Sequence, residues 1–123
     1  MFFDSFFSGS DSVEINVSLK TLLARTKASG ILRIDNAFSI PNRGTVLAGN
    51  FVGNVKPADL SEIVMSPETA QSDFTSVVLG LERFQKLEDL LNSPDEEIGC
   101  GILVKTHPDP DSLKGKYLLT YSR

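Results

Sequence analysis

From Ile31 onward the chain keeps returning to a period of two, and that alternation commits most of it to strands. In "ILRIDNAFSI" Leu32, Ile34, Phe38 and Ile40 fall on one side, and Arg33, Asp35 and Ser39 on the other. This is the pattern of a half-buried strand, whose successive side chains point to opposite faces. "IPNRGT" supplies turn chemistry, with Pro41 fixing one dihedral and Gly44 permitting a positive one. "TVLAGNFV" is the return strand, Gly53 and Asn54 mark another turn, and "VKPADL" leads into "SEIVMS". After the loop "SPETAQSD" come the strand "FTSVVLGLERF" and then "QKLEDLLNSPDEE", where Leu87, Leu90 and Leu91 have helical spacing up to Pro94. "IGCGILVKT" alternates again, "HPDPDS" is a loop, and "GKYLLTYS" is a last strand. Short strands with regular turn signals describe a barrel or a sandwich.

The first thirty residues read differently. Phe2, Phe3, Phe6 and Phe7, half of the eight phenylalanines, share one side of a helical turn. "VEINVSL" alternates like a strand, and "LKTLLARTKA" has Leu19, Leu22 and Leu23 at helical spacing, with Ser18 placed to cap it and Gly30 to end it. At 123 residues the chain is long enough for one core. The expected organisation is a Phe-rich extension over residues 1–30 and a β-domain over 31–123. Four phenylalanines so close together are expected to leave water, by packing against the β-domain in preference to docking on a second subunit or partner.

Charge and reactive groups narrow the function classes. The net charge is −4 and the bases are scattered, which disfavours a protein that grips a phosphate backbone. No apolar run approaches a membrane span, and Asp4, with no Lys or Arg before Lys20, argues against a targeting peptide. The lone Cys100 excludes an internal disulfide, so a cytoplasmic location is expected. The nearest approach to a phosphate loop is "GCGILVKT", where Val104 stands in place of the second glycine; no nucleotide binding is expected. His107, the only histidine, lies in the loop "THPDPD"; together with Asp109 and Asp111 it makes a thin metal set. Cys100 between Gly99 and Gly101 reads as a buried small hydrophobe, and no G-x-S-x-G elbow occurs. The expectation is a non-enzyme without cofactor or metal.

Five segments in order carry a resemblance: "IDNAFSIPNRGTVLAG", "NVKPADL", "VVLGLERFQKL", "EEIGCGILVK" and "KGKYLL". Over residues 31 to about 120 the chain resembles the second domain of elongation factor Tu and related translational GTPases, without their GTPase domain. That resemblance implies a closed, six-stranded antiparallel barrel. It also implies a pocket, in elongation factor Tu the one for the aminoacyl end of charged tRNA. An acid pair there corresponds to Asp35 and Asn36, an aromatic to Phe38, and a threonine to Ala48. A glutamate corresponds to Glu82, an arginine to Gln85 and an asparagine to Glu97. On this correspondence the pocket loses a hydroxyl and a cation and gains a carboxylate, with nothing basic near Glu97, so aminoacyl-tRNA is not the expected ligand. A plainer reading of the same residues puts Phe38 in the core and leaves Glu82 a solvated strand residue. Two turn glycines of the family correspond to Asn42 and Ala58; Ala58 implies a different turn.

The resemblance points to a translation-linked binding module that meets a ribosome, a tRNA or a translation factor. The acidity points to a protein-interaction role, such as a toxin-neutralising immunity protein or a decoy of elongation factor Tu. In both cases a protein partner fits the charge better than RNA.

Overall fold

The structure, a computed structural model, describes residues 17–68 and 71–122. The calls on Phe2, Phe3, Phe6 and Phe7 and on residues 13–16 lie outside the described residues. Helix α1 (Leu19–Ala24) precedes strands β1 (Gly30–Ile40), β2 (Gly44–Val55), β3 (Leu60–Val64), β4 (Ser72–Val77), β5 (Gly80–Arg83), β6 (Lys86–Glu88), β7 (Leu91–Val104) and β8 (Tyr117–Tyr121), with a 3-10 turn at Pro110–Leu113 before β8. No helix among the described residues is long and apolar enough to cross a membrane.

The strands form one antiparallel sheet in the order β4-β3-β8-β1-β2-β7-β5-β6. This overturns the closed six-stranded barrel: the sheet has eight strands and is not closed, since no ladder joins β4 to β6. Two local causes account for the difference. β4 ends at Val77 without a ladder to β7; the chain joins β7 only after it, through the Leu79 N–H to the Leu103 carbonyl at 2.8 Å and then the ladder of β5 from Gly80 to Glu82. The segment expected to run from strand into helical turn is instead a hairpin, with Arg83 opposite Lys86 across Phe84 and Gln85. Both loop residues have positive φ, 56° and 64°, as a two-residue turn matched to strand twist requires. The helical spacing of Leu87, Leu90 and Leu91 is therefore coincidental. Leu87 and Leu90 are exposed, and only Leu91, at the start of β7, is buried.

Each face of the sheet carries its own core. Leu32, Ile34, Leu47, Phe51, Ile63, Ile102 and Leu118 belong to the larger one. On the opposite face Ile31, Val52, Val64 and Leu119 pack beneath α1 through Leu19, Leu22 and Leu23. Burying Leu19 completely contributes about 2 kcal/mol, which is what pins so short a helix to the sheet. Ser18 caps α1, its Oγ accepting the Thr21 N–H at 3.2 Å. The helix ends at Ala24 with Arg25 as its cap, and Gly30 opens β1 instead of ending the helix. Leu19, which the sequence shares between an alternating and a helical pattern, is the first residue of the helix, in keeping with the helical spacing and the Ser18 cap.

A β-bulge corrects the expected face of Phe38. Ile34 pairs with Gly49 and Asn36 with Ala48, so Asp35 is an extra residue in β1. One inserted residue reverses the phase of everything after it. Ala37 turns into the core and Phe38 turns out, 47% exposed. Gly49 makes this possible, because a Cβ built there collides with the Arg33 carbonyl. Ala58 supplies another correction: it keeps the positive dihedral of a turn glycine, at φ 79°, as Asn42 does at 63°. Alanine has no side-chain hydrogen bond to offset that conformation, so the turn is strained but not rebuilt.

Candidate functional site

Beyond α1, the outer face of β1, β2, β7 and β5 has no cover among the described residues. Two rows cross it. Asn36, Ala48, Gly101 and Glu82 are successive partners across four strands, and Phe38, Val46, Leu103 and Gly80 form the next row. Small residues in the first row and an aromatic in the second leave a shallow groove of about 320 Å³. Phe38, Ala48, Glu82 and Gln85 all line it, together with Val46, Arg83 and Phe84. Four of the seven residues named from the sequence therefore share one groove.

The other three lie elsewhere. Asn36 folds its side chain onto its own strand, its Oδ1 accepting the Ala37 N–H at 3.0 Å. Asp35, at the bulge, and Glu97, on β7, flank Arg33, at 3.9 Å from Nε and 3.7 Å from Nη2. Glu97 also accepts from Asn50 Nδ2 at 3.2 Å and faces the Leu19 N–H at 3.5 Å. It is thus partnered by a cation and by the start of α1, which corrects the expectation that nothing basic stands near it. Its links run to α1, β1 and, through Asn50, β2, and it does not line the groove. Exposed pairs of this kind each stabilise by at most about 1 kcal/mol.

Sequence reasoning missed Arg83 and Phe84. The expected loss of a cation at Gln85 is offset by Arg83, which lines the same groove from the other side of the hairpin turn. Its guanidinium lies 4.7 Å from the centre of the Phe84 ring. Its Nε is buried with no hydrogen-bond partner among the described residues, and buried donors are rarely left so. Phe84 itself is 79% exposed while held at positive φ, an uncommon conformation for a bulky residue. A sequence signal existed: "ERFQK" places Arg and Lys on either side of two residues, but without Gly or Asn in the loop it does not read as a turn.

The remaining candidates hold less chemistry. Gly99–Val104 lies in the β7 ladder, and its residues pair with β2. Burial pushes the Cys100 thiol up to about 12, with Arg83 working in the opposite direction. A thiol so held is a poor nucleophile. His107 accepts the Asp109 N–H on Nδ1 at 2.9 Å and meets Phe74 edge-on, ring centres 4.8 Å apart. No group of three or more His, Cys, Asp or Glu side chains suited to a metal occurs among the described residues. A wider depression of about 560 Å³ lies between β3, β4 and β8 around Leu60, Val77 and Lys105. Its Tyr121 hydroxyl donates to Glu62, so those two polar groups already satisfy each other. No protein-family model matches the chain.

Proposed function

We propose that the chain is a non-enzymatic binding module linked to translation, which holds a segment of a protein partner in the groove between Phe38 and Phe84. The resemblance to the second domain of elongation factor Tu supports the link to translation. The observation that carries the groove is Phe84: a bulky aromatic, kept in a left-handed turn, with most of its ring in water. Such a residue costs stability twice, in backbone strain and in unburied apolar surface, and such costs cluster at functional positions. Phe38, turned outward by the bulge, provides the opposing apolar wall. Glu82 and Arg83 supply one charge of each sign, which suits a peptide segment better than a run of phosphates.

Glu82, without an ion pair among the described residues, and the net charge of −4 also favour a second reading, a protein that covers the basic face of a toxin. The test is capture from lysate on the immobilised chain, with mass spectrometry and RNA sequencing of what is retained, run in parallel with Phe38→Ala and Phe84→Ala. Retention of a translation factor or ribosomal protein by the wild type, lost in both variants, supports the reading. Equal retention by the variants moves the site off the groove. Retention of a toxin-like nuclease in place of translation proteins favours the second reading.

A further inference from the structure

A second groove of about 290 Å³ adjoins the first, extending from the shared Val46, Glu82 and Gly101 toward Leu79, Leu87 and Glu88. Its floor is apolar, built from Val46, Leu81 and Leu103. Leu79 and Leu87 also line it and are exposed at 45% and 83%. Small-molecule sites occupy roughly 300–1,000 Å³ and enclose most of their ligand, so a trough of this size with exposed rims suits one or two anchoring side chains of a larger partner. Glu82, Glu88 and Asp89 line the same trough. None of the three takes part in an ion pair or hydrogen bond among the described residues. Arg43 is the one cation lining it.

We propose that this trough docks a basic segment of another protein that carries large aliphatic side chains, the aliphatic groups on the floor and Lys or Arg side chains against Glu88, Asp89 and Glu82. Charge complementarity selects this occupant. Three carboxylates against the one guanidinium of Arg43 leave the lining net negative beside an apolar floor, which repels an acidic or phosphate-bearing partner and attracts a cationic one, and the attraction is screened by salt. Exposed Leu79 and Leu87 give the docked segment apolar area to cover, which a purely electrostatic contact would not need. The trough is separate from the groove assigned above, and only Val46, Glu82 and Gly101 line both.

The test is fluorescence anisotropy with the full chain and two labelled peptides of equal length, one alternating Leu with Lys and the other Leu with Glu. The Leu-Lys peptide is expected to bind, and its affinity to fall as salt is raised. Glu88→Lys and Asp89→Lys are each expected to weaken it at least tenfold, and Leu87→Ser to weaken it at any salt. Asp111→Lys makes the same change in net charge at an exposed site outside the trough, and should change affinity less than twofold. Asp89 is exposed, so its variant reports even if the half-buried Glu88 variant unfolds. Equal binding of both peptides overturns the proposal, as does affinity indifferent to Glu88→Lys and Asp89→Lys. Preference for a polyuridylate probe over the Leu-Lys peptide, or self-association in sedimentation that Leu87→Ser abolishes, would assign the trough to RNA or to a second copy of the chain and overturn it equally.

Discussion

Arg83 lays its guanidinium 4.7 Å from the centre of the Phe84 ring while its own Nε stays buried without a partner among the described residues. Cation and ring therefore hold each other at the mouth of the groove, beside a turn whose positive φ Phe84 does not favour. The arrangement separates stability from binding. Phe84→Asn places a residue tolerant of positive φ in the turn and removes exposed apolar surface. It should raise stability by about 1 kcal/mol in urea unfolding and weaken capture of the groove's partner. A loss of stability would mean that the ring supports the fold.

Arg83 gives a second, independent expectation. Breaking a satisfied buried ion pair is costly, but removing a donor that has no partner relieves a desolvation penalty. Arg83→Met keeps the length of the side chain and drops the unsatisfied Nε. Its melting temperature should stay equal to the wild type or rise by a few degrees, with partner capture lost. A melting temperature lower by more than about 5 °C would show that the guanidinium supports the hairpin.

What could be read from the sequence was set by how local the cause was. The start of β2, the cap at Ser18 and the turn at Asn42 depend on neighbours within a few residues, and each was legible. The turn expected at Gly53 and Asn54 is overturned, because β2 runs through both to Val55, with Gly53 opposite Ser93 and Asn54 opposite Asn92. The face of Phe38 was not legible, because one unpaired residue at Asp35 inverts a pattern that otherwise alternates without interruption. The hairpin at Phe84 and Gln85 was hidden for a different reason: its turn uses residues that normally avoid positive φ, beside leucines whose spacing mimics a helix. Closure was misjudged because alternation specifies strands but not how the sheet ends. That depends on whether β4 and β6 find each other across the whole fold. Of the pocket correspondence, Phe38, Ala48, Glu82 and Gln85 converged on one groove, whereas Asp35 and Asn36 at the bulge and Glu97 on β7 did not.

The bulge rests on Gly49. A Cβ there collides with the Arg33 carbonyl in the adjacent strand, a backbone atom that cannot yield without moving β1. Gly49→Ala should destabilise the chain by about 2 kcal/mol or more in urea unfolding, a magnitude typical of enforced backbone strain. It should also displace Phe38, detectable as a change in a fluorescent ligand's response at the groove. A cost under about 0.5 kcal/mol would mean the strands can separate locally, and the outward face of Phe38 would then need another explanation.

Cys100 sits beneath the groove floor, half-covered, with its thiol raised from 9.0 to about 12 chiefly by burial. The folded state therefore holds the proton more tightly than the unfolded chain. The associated stability is fully present below about pH 9 and is lost as pH rises toward 12. At pH 8 the thiolate fraction of the native protein is therefore far below that of the urea-unfolded chain, and reaction with a disulfide reagent should be markedly slower in the native state. Occupation of the groove should slow it further, since Cys100 lines the groove as well as the core. If native and unfolded chains are labelled at similar rates, the thiol is open to solvent, and the floor of the groove is looser than its small residues imply.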